Sequence, residues 1–303
     1  MRRAFVTALT ELAARDDRVF LITGDLGFMA LEPFIETHPD KFLNIGASEQ
    51  QMVATATGLA LEGFTPYCYS IATFSVLRPF EFIRNGPIAH KLPVRIIGVG
   101  AGFDYGSDGL THYALEDIGL MRTQPGLAIV APADRRQVPA AVGAVQSLDG
   151  PAYLRLCRVG DELPGTSGEY EFGRSQVIRE GSQRWIVALA EAGHIAIEAL
   201  SDPRLAGIDV GVLLVTTIAP FDATSVLASL VDCEEVFVVE SHYRNGGLGS
   251  LICETVGEAG LGCRVHRLGL AELPMGVTGS SSYMTGRFEM DSRALVDRIC
   301  GTL

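Results

Sequence analysis

This chain of 303 residues lacks a long apolar run, an excess of basic charge and any patterned cysteines. No apolar stretch reaches the length of a membrane span, so the sequence offers no transmembrane segment. Lysine and arginine number 24 against 36 aspartates and glutamates, a net charge of −12. That balance argues against a nucleic-acid partner and against binding to anionic membranes. It does not exclude a small anionic substrate, which a local arginine cluster can hold. The six cysteines, Cys68, Cys157, Cys233, Cys253, Cys263 and Cys300, have neither zinc-like nor redox spacing. They read as reduced core residues of a cytoplasmic protein. The phosphate-cradling Walker loop is also missing. Residues 1–9 faintly suggest a secretory leader, but Glu11 interrupts the apolar region, and an amphipathic first helix is the better reading.

What is present suits a two-domain α/β protein: 48% apolar and 20% charged residues, over a length comfortable for two cores. The chain is organised around residues 44–63. An apolar run at 42–45 predicts a buried strand, Gly46 to Ser48 break it, and Val53, Ala54, Ala56, Thr57, Leu59, Ala60 and Leu61 predict a helix buried on most sides. Glu49 stands at the break. A carboxylate there is favoured by the helix dipole, which suffices for a structural role. The apolar helix behind it also points the carboxylate into a packed region, where such groups serve function.

Other strands are predicted at 19–22, 64–70, 94–98, 127–130 and 151–158, with helices at 3–14 and 115–122. Asp25 follows the first strand, at the end where open α/β sheets gather ligands; a loop aspartate capping the next turn is the alternative. Phe74, Leu77 and Phe80 recur at a spacing of three and share one face of a helix, either as core or as a binding surface. A Gly-rich loop at 98–109 leads into Asp108-Gly109-Leu110-Thr111-His112, whose Asp and His can converge on one polar ligand or merely shape a turn. Asp134 is placed to cap a helix. Arg155 and Arg158 on one strand point to opposite faces, so at most one faces a site.

Residues 159–173 are rich in Gly, Pro, Ser and acids and read as a linker. Beyond it, strands are predicted at 185–190, 210–215, 235–239 and 264–268, and helices at 194–201, 223–230, 249–259 and 292–301. Gly246-Gly247-Leu248-Gly249 is only a fragment of a dinucleotide fingerprint. His242 beside it reads as a satisfied loop histidine rather than a ligand.

Ile-Gly-Ala-Ser-Glu-Gln-Gln-Met, at 45–52, resembles the signature of the pyrimidine-binding domain in transketolases, deoxyxylulose-phosphate synthases and the beta chains of 2-oxo-acid dehydrogenases. The Asp108–His112 motif resembles the transketolase and deoxyxylulose-phosphate synthase form. Glu-x-His-x-x-x-Gly-Gly-Leu-Gly, from Glu240, resembles the transketolase C-terminal domain, where it is largely structural. The resemblance covers almost the whole chain but only the second half of a standard transketolase. It implies a doubly wound parallel-sheet thiamine-pyrimidine-binding domain at 1–160, a linker at 161–180 and a smaller α/β domain at 181–303.

By that resemblance Glu49 bonds the aminopyrimidine of thiamine diphosphate and shifts it to the imino tautomer that deprotonates the thiazolium carbon. Asp25, Phe74, Leu77 and Phe80 line the cofactor ring. Leu77 stands where transketolases carry a stacking aromatic, a departure that costs about 1 kcal/mol. Asp108 and His112 contact substrate hydroxyls and carbonyl, and Arg158 and Arg2 match phosphate-binding arginines. Met29 and Gly100 replace a serine and a histidine of the same tail site, so an unusual ketose or acceptor is in view. Gly24-Asp25 and Gly160-Asp161 both lack the downstream asparagines of the family's Mg²⁺-diphosphate site. Diphosphate and Mg²⁺ are therefore expected on an N-terminal transketolase-like subunit, in a heterotetramer of two copies of each chain.

The expected activity is transfer of a two-carbon ketol unit from a ketose. The alternatives are decarboxylation of a 2-oxo acid with acyl transfer, a non-catalytic scaffold, and a nucleotide-binding module.

Overall fold

The computed structural model describes residues 1–158 and 160–301; Val159, Thr302 and Leu303, which fall in the spans 159–173 and 181–303, lie outside them. The first sheet contains β1 (Val19–Thr23), β2 (Phe42–Asn44), β3 (Thr65–Ile71), β4 (Arg95–Val99), β5 (Ala128–Val130) and β6 (Ala152–Leu156). These pair in parallel in the order β5-β6-β4-β3-β1-β2. Their near-continuous apolar sequences suit strands covered on both faces; every residue of β4 and β6 is buried.

Because the strands run parallel, their carboxyl ends share one edge, where ligands of open α/β sheets bind. Asp25 follows β1, Glu49 follows β2, Phe74 follows β3, the 100–112 loop follows β4 and Arg158 follows β6. The sheet thus gathers every predicted segment except the amino-terminal Arg2.

The second sheet contains β7 (Ser175–Arg179), β8 (Arg184–Leu189), β9 (Val210–Val215), β11 (Glu235–Tyr243) and β12 (Arg264–Leu270), ordered β12-β11-β8-β9-β7 with β7 antiparallel. Between them in sequence, β10 (Thr217–Ala219) leaves this unit and pairs antiparallel with β5, adding a seventh strand to the first sheet.

Four sequence expectations are corrected. The span 161–180 is not all linker, because β7 lies in it as an edge strand. The helix after β5 starts at Val138 rather than at Asp134; Asp134 instead accepts from Arg136 and from the Leu163 amide. The helix Glu49–Leu61 is buried along one face, at Glu49, Met52, Val53, Ala56 and Ala60, while Leu61 is exposed. Cys253 is exposed, on the outer side of the helix Leu248–Ala259.

Buried polar contacts join the two units. Fully buried Arg155 donates to Asp117 (2.8 Å), Glu191 (3.0 Å) and the Ser241 carbonyl (2.9 Å). A charge with that many partners offsets its desolvation. His242, also fully buried, holds the seam from the other side. Its Nε2 accepts from the Gly119 N–H at 3.1 Å, so its proton sits on Nδ1, 2.7 Å from the Tyr243 carbonyl. Burial pushes its pKa below the usual histidine value, consistent with a neutral ring. His242 is thus a satisfied histidine as read, but it lies in strand β11 rather than in a loop. His242→Ala orphans both backbone groups and is expected to cost about 3 kcal/mol, read as a lower urea midpoint; an unchanged midpoint would refute the seam's role.

The glycine cluster has a packing explanation. The carboxylate of buried Glu240 accepts from the Leu248 and Gly249 amides at 2.7 and 2.9 Å. Burial pushes its pKa up to about 7. A Cβ at Gly247 would lie 2.0 Å from Glu240 Oε2, and one at Gly249 2.9 Å from Oε1. The amides a nucleotide phosphate needs at this helix start are taken by Glu240, which removes the nucleotide-binding alternative.

Candidate active site

Glu49 is the first residue of its helix and is 2% exposed. Arg78 Nη1 donates to both carboxylate oxygens at 2.9 Å, and Ser70 Oγ lies 3.5 Å from Oε1. The Arg78 guanidinium also lies over the Phe74 ring, 3.8 Å from its centroid. The far edge of Phe74 meets His112 in a T-shaped contact at 5.0 Å. One chain of contacts, Glu49–Arg78–Phe74–His112, thus joins the two motifs that sequence reading treated separately.

The predicted Phe74-Leu77-Phe80 face is not one helix face. The helix Ala72–Leu77 stops before Pro79, and a second short helix, Phe80–Ile83, follows. Proline cannot donate to the continuing ladder, which accounts for the break. The stripe is not core either: Ala72, Thr73, Ser75 and Val76 are buried, whereas Leu77 is 38% exposed and Phe74 and Phe80 are half-buried. Phe74 is the member tied to Glu49, through Arg78.

Asp25 takes the left-handed conformation (φ 57°) and is held by Asn44, which accepts from its amide at 2.9 Å and donates to its carboxylate at 3.1 Å. Gly24 next to it packs against Glu49: a Cβ there would be 3.8 Å from Glu49 Oε1. Asp25 therefore lies on the loop that walls the Glu49 carboxylate. Met29, also at positive φ, is 92% exposed beside exposed Phe28.

Asp108 is exposed in a short 3₁₀ turn, and Gly109 (φ 88°) reverses the chain so that His112 comes back toward Phe74. His112 Nδ1 lies 3.0 Å from Thr111 Oγ1, which leaves Nε2 for a ligand oxygen. Arg158 lies past the end of β6 and is exposed, while Arg155 is buried in the seam, so one arginine of the pair faces this edge. The Arg158 amide donates to Asp104 at 2.7 Å, and its guanidinium carbon sits 5.3 Å from the Tyr105 ring centroid. Burial pushes the Tyr105 phenol up, and the charges of Arg2 and Arg158 both pull it down. The Arg158 guanidinium is thus the predicted cation that sits beside this ring.

Sequence reading missed Arg78 and Tyr105. The signal for Arg78 is its i+4 spacing from Phe74, which sets a cation above a ring. The signal for Tyr105 is Gly100, where an ordinary side chain has no room.

The Glu49 site fits an aminopyrimidine. It offers a buried carboxylate acceptor beside an aromatic face, and it already accommodates a planar, N–H-bearing guanidinium. Among the described residues no group of three His, Cys, Asp or Glu side chains could hold a metal ion, and no helix is long and apolar enough to cross a membrane.

Comparison with known proteins identifies both domains. The transketolase pyrimidine-binding domain profile matches residues 1–159, and the transketolase C-terminal domain profile matches 173–285. A subunit of the apulose-4-phosphate transketolase of Actinobacillus succinogenes is 31% identical over 93% of this chain and 91% of its own length. A 6-deoxy-6-sulfo-D-fructose transketolase subunit of a Clostridium species is 30% identical over 98% of this chain and 92% of its own. Among solved structures, a split gene transketolase described as an inactive beta4 tetramer is 30% identical and superposes with a TM-score of 0.87, covering 98% of this chain and 95% of that one. The chain spans under half of the full-length Leishmania mexicana transketolase, with a TM-score of 0.83 at 20% identity, a likeness of fold. With both of its domains matched in order, this chain belongs to the transketolase family.

Proposed function

We propose that this chain is the pyrimidine-binding and C-terminal subunit of a split transketolase, transferring a two-carbon ketol unit from a ketose donor to an acceptor. The observation that carries the proposal is the continuity from Glu49 through Phe74 to His112. It sets a buried carboxylate, an aromatic ring and a histidine along one sheet edge. Relatives named as single subunits of transketolases, similar along nearly the whole chain, support the division into two polypeptides.

In this reading Glu49 exchanges a proton with a ring nitrogen of thiamine diphosphate, and Phe74 and the Asp25 loop wall the ring. The bound cofactor supplies the electron sink for the carbon–carbon bond that breaks. Leu77 and Phe80 complete the apolar surround. His112, through Nε2, and Asp108 orient the carbonyl and hydroxyls of the donor, so that the bond to be broken is aligned. Arg158 and Arg2 hold an anionic tail.

A partner chain supplies the diphosphate and Mg²⁺ contacts, because neither Gly-Asp pair of this chain has the asparagines that would complete an oxygen cage. We place the pyrimidine-binding unit at 1–160 and the C-terminal unit at 181–303. The assembly is two copies of each chain, in the cytoplasm, where its thiols stay reduced.

The test is a donor comparison with the co-expressed partner, thiamine diphosphate and Mg²⁺. Cleavage of xylulose 5-phosphate or of another ketose is expected. Release of carbon dioxide from pyruvate with no ketose cleavage would place the chain among the decarboxylating thiamine enzymes instead.

A further inference from the structure

The site residues named above all lie at or before Arg158, so the second domain contributes none of them. It does grip the loop that carries two of them, Asp108 and His112. That loop follows β4 and is closed at its base, where Gly102 and Ala114 exchange both backbone hydrogen bonds at 3.0 Å. Just beyond, the Leu115 carbonyl accepts from the Tyr243 amide of β11 at 2.7 Å.

Nearer the tip, residues 277–290 of the second domain take hold. The Gly279 amide donates to the Gly106 carbonyl at 3.0 Å. The two backbones are so close that a Cβ at Gly106 would lie 2.6 Å from the Gly279 oxygen. Tyr113, next to His112 in sequence and 2% exposed, aims its hydroxyl at the same junction, 2.6 Å from the Val277 carbonyl and 3.0 Å from that of Gly106. Its single proton goes chiefly to Val277, at the shorter distance, since Gly106 already has the Gly279 amide. Phe103 meets the Tyr113 ring edge-on at 5.1 Å and stacks on Phe288 at 5.8 Å. Met284, from the helix Ser281–Arg287, is buried in the same cluster. At the tip, Asp108 is exposed and His112 half-buried. A group misplaced by about 1 Å can cost about a hundredfold in rate, so whatever fixes this tip bears on turnover.

We propose, resting on the ketol-transfer reading, that the C-terminal domain positions the donor-orienting loop, and that Tyr113 is the positioning residue through which it does so. The Tyr113 ring packs on Phe103 inside the loop, and its hydroxyl ties the loop to Val277 of the other domain.

The test uses the assembled enzyme and two variants. Tyr113→Phe keeps the ring and removes the tie; Phe288→Ala removes the stack on Phe103 from the other domain. In both, kcat/KM for a ketose donor is expected to fall, by about tenfold for Tyr113→Phe, with a higher donor KM. Half-saturation by thiamine diphosphate should not move, because Glu49 and Arg78 lie outside this cluster. Loss of folded enzyme would lower kcat alone, so an unchanged donor KM in both variants overturns the proposal. Hydrogen exchange reads the loop without turnover. The amides of Gly106, Asp108 and His112, each bonded within the loop, should exchange about tenfold faster in Tyr113→Phe, with β4 and β6 unchanged. Equal protection of those three amides in variant and wild type overturns the proposal. If the wild type cleaves no ketose, the ketol-transfer reading falls, and the exchange rates still decide whether the second domain holds the loop.

Discussion

Glutamine in place of Glu49 is expected to lower ketol transfer by the assembled enzyme at least about a hundredfold, with little change in fold. The side chain is 2% exposed, and its two oxygens are engaged by Arg78 at 2.9 Å. Glutamine has the same shape and keeps one acceptor oxygen, so packing around Ser70 and Phe74 survives. What it cannot do is take or give a proton. Arg78 is 45% exposed at its side chain, so water can solvate its charge once the carboxylate is gone. Glu49→Ala removes the hydrogen bond as well and should lose more. The measurement is kcat for a ketose donor, with circular dichroism as the control for folding. A near wild-type rate in either variant would make the chain a scaffold that has kept the fold, and the catalytic assignment of Glu49 would be wrong.

The second large effect concerns the partner. Thiamine diphosphate should bind this chain alone about a thousandfold more weakly than it binds the assembled pair. The chain offers the ring a carboxylate and an aromatic face, and among the described residues no group of three His, Cys, Asp or Glu side chains could hold Mg²⁺. Its glycine-rich helix start is no substitute, because Glu240 occupies the amides there. Two or three missing charge-assisted contacts at about 1.5–3 kcal/mol each account for that ratio. Calorimetry on the chain, with and without its partner, measures it. Micromolar binding by the isolated chain would contradict the shared site.

Most of the fold could be read from the sequence because parallel strands covered on both faces appear as short apolar runs. β4 and β9 are buried throughout and were located to within a residue. The strands that escaped reading are those without that signature. β7 alternates half-buried and exposed residues at a sheet edge, and β10 is three residues borrowed by the other domain's sheet. The Glu49 and Asp108–His112 motifs were legible because local order defines them. Arg78 and Tyr105 were not, since each matters through what tertiary structure brings beside it: a carboxylate 29 positions away, and a glycine whose missing side chain makes room. The break at Pro79 was available in the sequence, yet the spacing of Phe74, Leu77 and Phe80 masked it.

The most direct test of the central claim follows carbon rather than rate. A ketose labelled with ¹³C at C1 and C2 is incubated with this chain, its partner, thiamine diphosphate, Mg²⁺ and an aldose acceptor, and the products are read by NMR. The two labelled carbons are predicted to appear still bonded to each other at the head of a new ketose. Label that stays in the donor, while pyruvate is decarboxylated by the same mixture, would contradict the account.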